Sequence, residues 1–213
     1  MKRLSVAARS LLRIAAWVSV AALIASCSIS RPSPVKEMYL LEPAPPAALA
    51  TPKNATVRLG AITMAAPFRD RVLVYRRSEV KYESEFYSEF FVSPSAMLAD
   101  ATVKALSAAN VFRRVMPSGA GPDDADYVLD GFASELYGDV REPGKTTAAM
   151  TITYYLSSTS SLGSSVVWTA TYRQRVPAAN ANPESLVQAW NSALSAILAD
   201  LARDLAAATL PKQ

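Results

Sequence analysis

The sequence predicts a single α+β domain, a mainly antiparallel sheet with two amphipathic helices packed on one face. Two segments, residues 148–156 and 166–175, alternate apolar and polar side chains with the two-residue period of a strand. Two others, residues 94–109 and 183–210, repeat apolar residues at helical spacing. Alternating strands leave one face of the sheet to be buried, and the two helices can cover it.

The domain is preceded by a segment that has the organisation of an export signal. Four basic residues come before an apolar run at residues 14–24, which is shorter than the roughly 20 residues needed to span a bilayer. We therefore expect residues 1–26 to be a signal peptide that is removed on export. Residues 24–27, Ile-Ala-Ser-Cys, resemble a lipobox, which implies cleavage before Cys27 and acylation of its sulfur. The alternative is an ordinary signal peptide followed by a free thiol.

Removal of this leader changes the charge of the protein. The leader holds four of the 22 Lys and Arg residues and none of the 18 Asp and Glu residues, which leaves 18 of each sign. A neutral surface gives no electrostatic reason to bind nucleic acid, so we expect no nucleic-acid partner. If the only cysteine is acylated, no disulfide can form and the core alone must stabilise the fold.

Residues 27–53 are predicted to be the lipidated cysteine and a proline-rich tether. The tether contains six of the chain's 14 prolines, which favour extended backbone. An apolar island at residues 38–41 predicts a short edge strand docked on the domain. Ser28 stands where inner-membrane lipoproteins typically carry aspartate. By that resemblance the acyl anchor lies in outer-membrane lipid, and the body faces the periplasm.

The α+β domain is predicted to occupy residues 54–213. The predicted strands lie at residues 57–62, 72–76, 80–82, 112–115, 127–137, 148–156 and 166–175. The fifth of these is expected to carry a bulge near Gly131, where its alternation slips. The serine-rich residues 157–165 are expected to form a hairpin loop. Ser93 and Asn182 are candidate N-caps, and each is followed by proline at the first helical position.

Few residues in the sequence suggest catalysis. The chain has no histidine, which removes Ser-His-Asp and Cys-His catalysis and most zinc sites. Residues 144–146, Gly-Lys-Thr, resemble the end of a phosphate-binding loop, but a strand follows instead of a helix. The acidic residues at 123–126 lack the other ligands of a calcium loop. Asp130 and Glu135 could form a glycosidase carboxylate pair, although strand carboxylates are usually only solvated. We expect no enzyme, metal or cofactor.

Aromatic residues are concentrated in a ten-residue stretch just before the first helix. Tyr82, Phe86, Tyr87, Phe90 and Phe91 lie there among three glutamates. Either these rings complete the core where a hairpin meets the helix, or they form an apolar surface for a lipid or a partner protein. On the second interpretation these five residues are the candidate contact residues.

Several short motifs occur in a recognisable order along the mature chain. They are Cys27, the Met-Tyr-Leu-Leu-Glu-Pro segment at 38–43, the Ala-Pro-Phe-Arg-Asp-Arg segment at 66–71 with the strand at 72–76, the aromatic stretch ending in Ser93-Pro94, and the Ala-Asp-Tyr-Val-Leu segment at 125–129. In order and spacing they resemble the ABC-type transport auxiliary lipoproteins, the PqiC-like family. The family often has tryptophan where this chain has Phe91, and the substitution keeps an apolar ring.

The resemblance implies a non-enzymatic role in an MCE-type lipid transport system. An ABC permease and ATPase energise such a system, and an MCE-domain protein spans part of the periplasm. The auxiliary lipoprotein would dock this conduit at the outer membrane, and a homo-oligomeric ring around the conduit is expected. One alternative is a structural or secretion-associated outer-membrane lipoprotein that takes no part in lipid flux. Another is a periplasmic hydrolase that uses carboxylates.

Overall fold

The computed structural model describes residues 35–119, 125–160 and 163–211. The predicted signal peptide and Cys27 lie outside these residues. From Lys36 onward the described residues form one compact unit, and the predicted α+β class is confirmed. The strands are β1 (Glu37–Tyr39), β2 (Lys53–Met64), β3 (Val72–Arg76), β4 (Tyr82–Phe90), β5 (Phe112–Met116), β6 (Tyr127–Asp139), β7 (Thr147–Ser160) and β8 (Gly163–Pro177), and the helices are α1 (Pro94–Ala108) and α2 (Pro183–Ala207).

The sheet branches at β6. One edge of β6 pairs along its whole length with β7, which in turn pairs with β8. The other edge is shared by two strands. The first half of β6 pairs with β2, from Val57 opposite Tyr127 to Met64 opposite Ala133. The end of β6 pairs with β3, where Arg76 lies opposite Asp139. Strand β5 lies beyond β2, and β4 and then β1 lie beyond β3.

The long pairings are antiparallel, as predicted. β6 with β7, β7 with β8, and β3 with β4 all run in opposite directions. The pairings of β1 with β4, β2 with β5, and β6 with both β2 and β3 are parallel. Alternation of side chains fixes which face is buried but not the direction of a neighbouring strand, so these parallel pairings could not be inferred from the sequence.

Both helices cover the same face of the sheet. Ile152, Tyr154 and Leu156 of β7 are fully buried beneath them. The Thr102 hydroxyl of α1 lies 3.0 Å from the Tyr154 hydroxyl. Trp190 of α2 is also fully buried and donates its indole N–H to the Ala149 carbonyl oxygen at 3.3 Å. One hydrophobic cluster therefore joins sheet and helices.

Both helices begin where their caps predict. The Asn182 side chain accepts a hydrogen bond from the Ser185 N–H at 2.8 Å, and Ser93 accepts one from the Ala96 N–H at 3.4 Å. In the part of the chain that the structure describes, neither helix combines the length and the apolar character needed to cross a bilayer.

Much of the predicted tether packs against the domain. We call residues 36–52 the strap. The predicted edge strand is present as β1, which takes in only the first two residues of the island, Met38 and Tyr39. It pairs with β4 and places Tyr39 opposite Phe90. Leu41 is buried beside α1, and its N–H lies 3.3 Å from the Met97 sulfur. Further along, the Leu49 N–H donates to the Ala109 carbonyl at 2.8 Å. The compact unit therefore includes residues that precede the expected boundary at residue 54.

Three local predictions need correction. The second hairpin arm is β4, which runs on from Tyr82 to Phe90 and contains the aromatic stretch. Most of the serine-rich stretch is ladder rather than loop, because Ser157, Ser158 and Thr159 all pair with β8. The expected bulge near Gly131 is an irregularity of β2 between Leu59 and Ile62, while the shift in β6 itself lies just past Ala133.

Candidate contact surface

The aromatic stretch of β4 is divided between the core and the surface. The four residues at 85–88 stand opposite the single residue Leu73 of β3, so β4 carries a bulge with three extra residues. After the bulge, Phe90 points inward and is 1% exposed, with its ring 5.7 Å from that of Trp190. The adjacent Phe91 is 57% exposed. Phe90 is therefore a core residue and not, as one interpretation of the sequence predicted, a contact residue.

Tyr82 belongs to a separate aromatic cluster on the face of the sheet that the helices leave open. Its ring meets the Tyr137 ring edge-on at 5.7 Å, and the Phe68 ring stacks on Tyr137 at 5.8 Å. Arg76 lies 5.7 Å from the centre of the Tyr82 ring. Tyr82 is thus packed on its neighbours while part of its ring remains open to solvent.

The other aromatic residues lie on the surface of the domain near the N-terminal strand. We call it the edge surface. Phe86 and Tyr87 touch edge to face at 5.0 Å, and both are well exposed. The Phe91 N–H donates to the Tyr39 carbonyl at 2.8 Å, which brings Phe91 beside the start of the strap. The exposed apolar members of the surface are Met38, Leu40, Phe86, Tyr87, Phe91 and Val92.

A buried carboxylate holds the edge surface together. Glu89 has a side chain that is only 9% exposed, and it lies 3.5 Å from Lys36 and 3.3 Å from Arg71. Arg71 also donates to the Phe91 carbonyl at 3.0 Å, while the Lys36 ammonium lies 5.3 Å from the centre of the Phe86 ring. The paired charges satisfy Glu89 and fix the rings around it.

A second ionic cluster lies on the open face of the sheet, around Tyr137. The Tyr137 hydroxyl accepts a hydrogen bond from Arg175 at 3.0 Å and donates one to Glu135 at 3.3 Å. Asp139 accepts from Arg141 at 2.7 Å and lies 3.3 Å from Arg175. The Arg141 guanidinium is the main cause that lowers the pKa of Asp139. Each carboxylate here is matched by arginine, which is the pattern of a structural network.

The residues considered for catalysis have structural partners. Asp130 accepts the Ala61 N–H at 2.8 Å. Glu135 is held within the arginine network, 3.7 Å from Arg173 and 3.8 Å from Arg175. Lys145 forms an ion pair with Glu142 at 2.8 Å. The strand predicted after the Gly-Lys-Thr segment is confirmed, since β7 begins at Thr147. Among the described residues, no three acidic or cysteine side chains are grouped to hold a metal.

Part of the edge surface could not be predicted from the sequence. Met38 and Leu40 were expected only to form an edge strand docked on the domain. The charged residues Lys36 and Arg71 were not predicted to take part in a contact surface. Residues 38–41 are all apolar, so the sequence does not show that Met38 and Leu40 are exposed while Tyr39 is half-buried and Leu41 is buried. Parallel pairing with β4 decides which of them face solvent near Phe91.

Comparison with known proteins points to one family. The family model described as the ABC-type transport auxiliary lipoprotein component matches residues 39–202. A solved Xanthomonas campestris protein of family DUF330 has a TM-score of 0.67 at 16% identity, covering 77% of this chain and 91% of its own. A second, described as an uncharacterized protein, has a TM-score of 0.58 at 13% identity and covers 80% and 99%. These structures show a shared fold. No curated protein matches the chain.

Proposed function

The chain belongs to the family of ABC-type transport auxiliary lipoprotein components, and we propose that it serves an MCE-type lipid transport system as a non-enzymatic outer-membrane lipoprotein. The observation that carries this proposal is the family match, which extends over residues 39–202 and so includes the strap as well as the domain. Membership supports a transport-associated lipoprotein. The MCE partner, the lipid cargo and the outer-membrane location are our proposals.

In this proposal Cys27 is the anchor. Acylation of its sulfur by two or more chains would hold the protein permanently at the membrane, because each buried methylene contributes about 0.8 kcal/mol. Ser28 favours sorting to the outer membrane, and the body then faces the periplasm. A mature chain with equal numbers of basic and acidic residues is suited to docking a protein conduit rather than nucleic acid.

The contacts within the domain support a binding role. The carboxylates that could have served hydrolysis accept backbone N–H groups or pair with arginine, as Asp130 and Glu135 do. The exposed rings of Phe86, Tyr87 and Phe91 offer a contact surface instead. We propose that the partners are an MCE-domain protein and its ABC permease and ATPase, and that several copies of the chain form a ring around the conduit.

The proposal is tested by crosslinking in intact cell envelopes, followed by identification of the captured proteins. We expect an MCE-domain protein and components of an ABC transporter. Capture of secretion or assembly proteins alone would contradict the proposal and favour the structural or secretion role.

A Cys27→Ser variant is the matched control for the anchor. We expect it to accumulate as an unprocessed precursor that is sorted incorrectly, with a folded body. Normal processing and normal membrane fractionation of this variant would overturn the lipidation claim, whatever partners are captured.

A further inference from the structure

We propose that the edge surface lies against the lipid bilayer in which the protein is anchored, with Phe86 and Phe91 in the interfacial region of the membrane. The inference deepens the proposed function and rests on it for one point, that the chain is tied to a membrane through Cys27. It assigns one occupant to the surface, the bilayer itself, where the sequence left a choice between lipid and partner protein.

The first support is the position at which the chain enters the folded unit. The compact unit begins at Lys36, nine residues after Cys27, so the chain can separate the two by at most about 32 Å. The side chain of Lys36 is itself part of the edge surface, over the Phe86 ring. No other surface of the described domain has a shorter covalent path to the anchor.

The second support is the chemistry of the surface. Phenylalanine, tyrosine, methionine and leucine side chains are exposed here. The amphipathic ring of tyrosine favours the membrane interface, and apolar side chains such as phenylalanine and leucine favour the boundary between lipid head groups and acyl chains. Lys36 and Arg71 can lay their apolar stems along the bilayer while their charges stay with Glu89. Attachment through the anchor gives the contact between surface and bilayer an effective concentration in the millimolar range. A weak affinity of the surface for the bilayer therefore suffices.

The charges at this surface exclude attraction to anionic lipid as the driving force. The cations Lys36 and Arg71 are offset by Glu89, and Glu37 and Glu85 lie close by, bound to Tyr39 and Tyr87. The surface therefore carries no excess of positive charge. Contact should form on zwitterionic lipid and persist at high salt, since it depends on apolar burial.

The experiment places a tryptophan reporter at the surface and supplies the anchor chemically. A chain starting at Cys27 retains the whole compact unit, and its only thiol can be coupled to a maleimide lipid in phosphatidylcholine vesicles. Phe91→Trp is compared with Val166→Trp. Val166 is similarly exposed, at 61%. It pairs with Ser157 at the end of the sheet remote from β3 and β4, about ten residues or roughly 33 Å along β6.

We expect brominated acyl chains to quench the added fluorescence of Phe91→Trp and to leave that of Val166→Trp unchanged. The quenching should survive about 0.5 M salt, where the screening length is roughly 4 Å. Equal quenching at both positions, no quenching at position 91, or quenching that high salt abolishes would each overturn the proposal. If Phe91→Trp were shielded from solvent in the crosslinked transport complex but not quenched by the bilayer, the surface would be assigned to a partner protein.

Failure of this inference is distinct from failure of the proposed function. Coupling through maleimide does not depend on whether cells acylate Cys27, which is determined separately from the mass of the native N-terminus. The crosslinked partners likewise do not depend on where the ring of Phe91 lies.

Discussion

Two neighbouring phenylalanines in β4 have opposite environments, and this difference can be measured. Phe90 is 1% exposed against Trp190, while Phe91 is 57% exposed. We expect Phe90→Ala to lower the free energy of unfolding by about 3–5 kcal/mol, because it removes a buried ring and leaves a cavity. Phe91→Ala should change it by less than about 0.5 kcal/mol. Urea unfolding of the two variants makes the comparison, and similar losses would contradict the described bulge.

The network around Asp139 makes a separate prediction about pH. Because Arg141 lowers the pKa of Asp139 in the folded protein, the ionised carboxylate stabilises the fold above its unfolded pKa of about 3.9. That stabilisation is lost as the pH falls through the lower, folded pKa. We expect Asp139→Asn to lower the free energy of unfolding by about 1.5 kcal/mol at pH 7 and by much less near pH 3.

The measurement is urea unfolding of Asp139→Asn and the parent protein at both pH values. Asp100→Asn is the control, since Asp100 is an exposed residue of α1 whose partner is the exposed Lys104. Its loss at pH 7 should be below about 1 kcal/mol. An Asp139→Asn effect that is equally large at pH 3 and pH 7 would show that the carboxylate acts by packing rather than by charge.

Among the elements, the strap stabilises the domain through one main anchor point. Leu41 is 6% exposed beside Met97, whereas the preceding Leu40 is 44% exposed. Leu41→Ala should lower the free energy of unfolding by about 2–3 kcal/mol, because it empties a site between the strap and α1. Leu40→Ala should cost less than about 1 kcal/mol. Thermal unfolding of the two variants tests the assignment, and equal shifts in Tm would mean that the strap does not dock through Leu41.

Elements whose pattern is complete in their own residues could be predicted from the sequence. The second helix follows from Asn182, Pro183 and a long apolar repeat, and β7 from its regular alternation. The strap could not be placed in the same way, because the site for Leu41 exists only once α1 has packed on the sheet. The split between Phe90 and Phe91 depends on the bulge opposite Leu73, and no local signal marks it.

At the scale of the whole molecule, the branched sheet sets where its two surfaces lie. Strand β6 joins β2 at its start and β3 at its end, so β4 and β1 extend the sheet on one side only at that end. The edge surface and the entry of the chain at Lys36 are therefore together, while β7 and β8 lie on the opposite edge of β6. An anchored molecule built in this way can keep one surface at the membrane while other surfaces remain free for partner subunits.

The length of chain between anchor and body should therefore control the contact with the bilayer. We predict that roughly twenty glycine and serine residues inserted between Pro34 and Val35, outside the compact unit, reduce the ratio of docked to free molecules. Effective concentration falls as about the −3/2 power of linker length, so a change from about nine to about 29 residues gives a roughly sixfold decrease. Quenching of the Phe91→Trp reporter in brominated vesicles measures this ratio. The same insertion after Gln213 is the control and should have no effect, because it leaves the path from Cys27 to Lys36 unchanged. Quenching that is insensitive to the N-terminal insertion would mean that the short linker does not act through effective concentration.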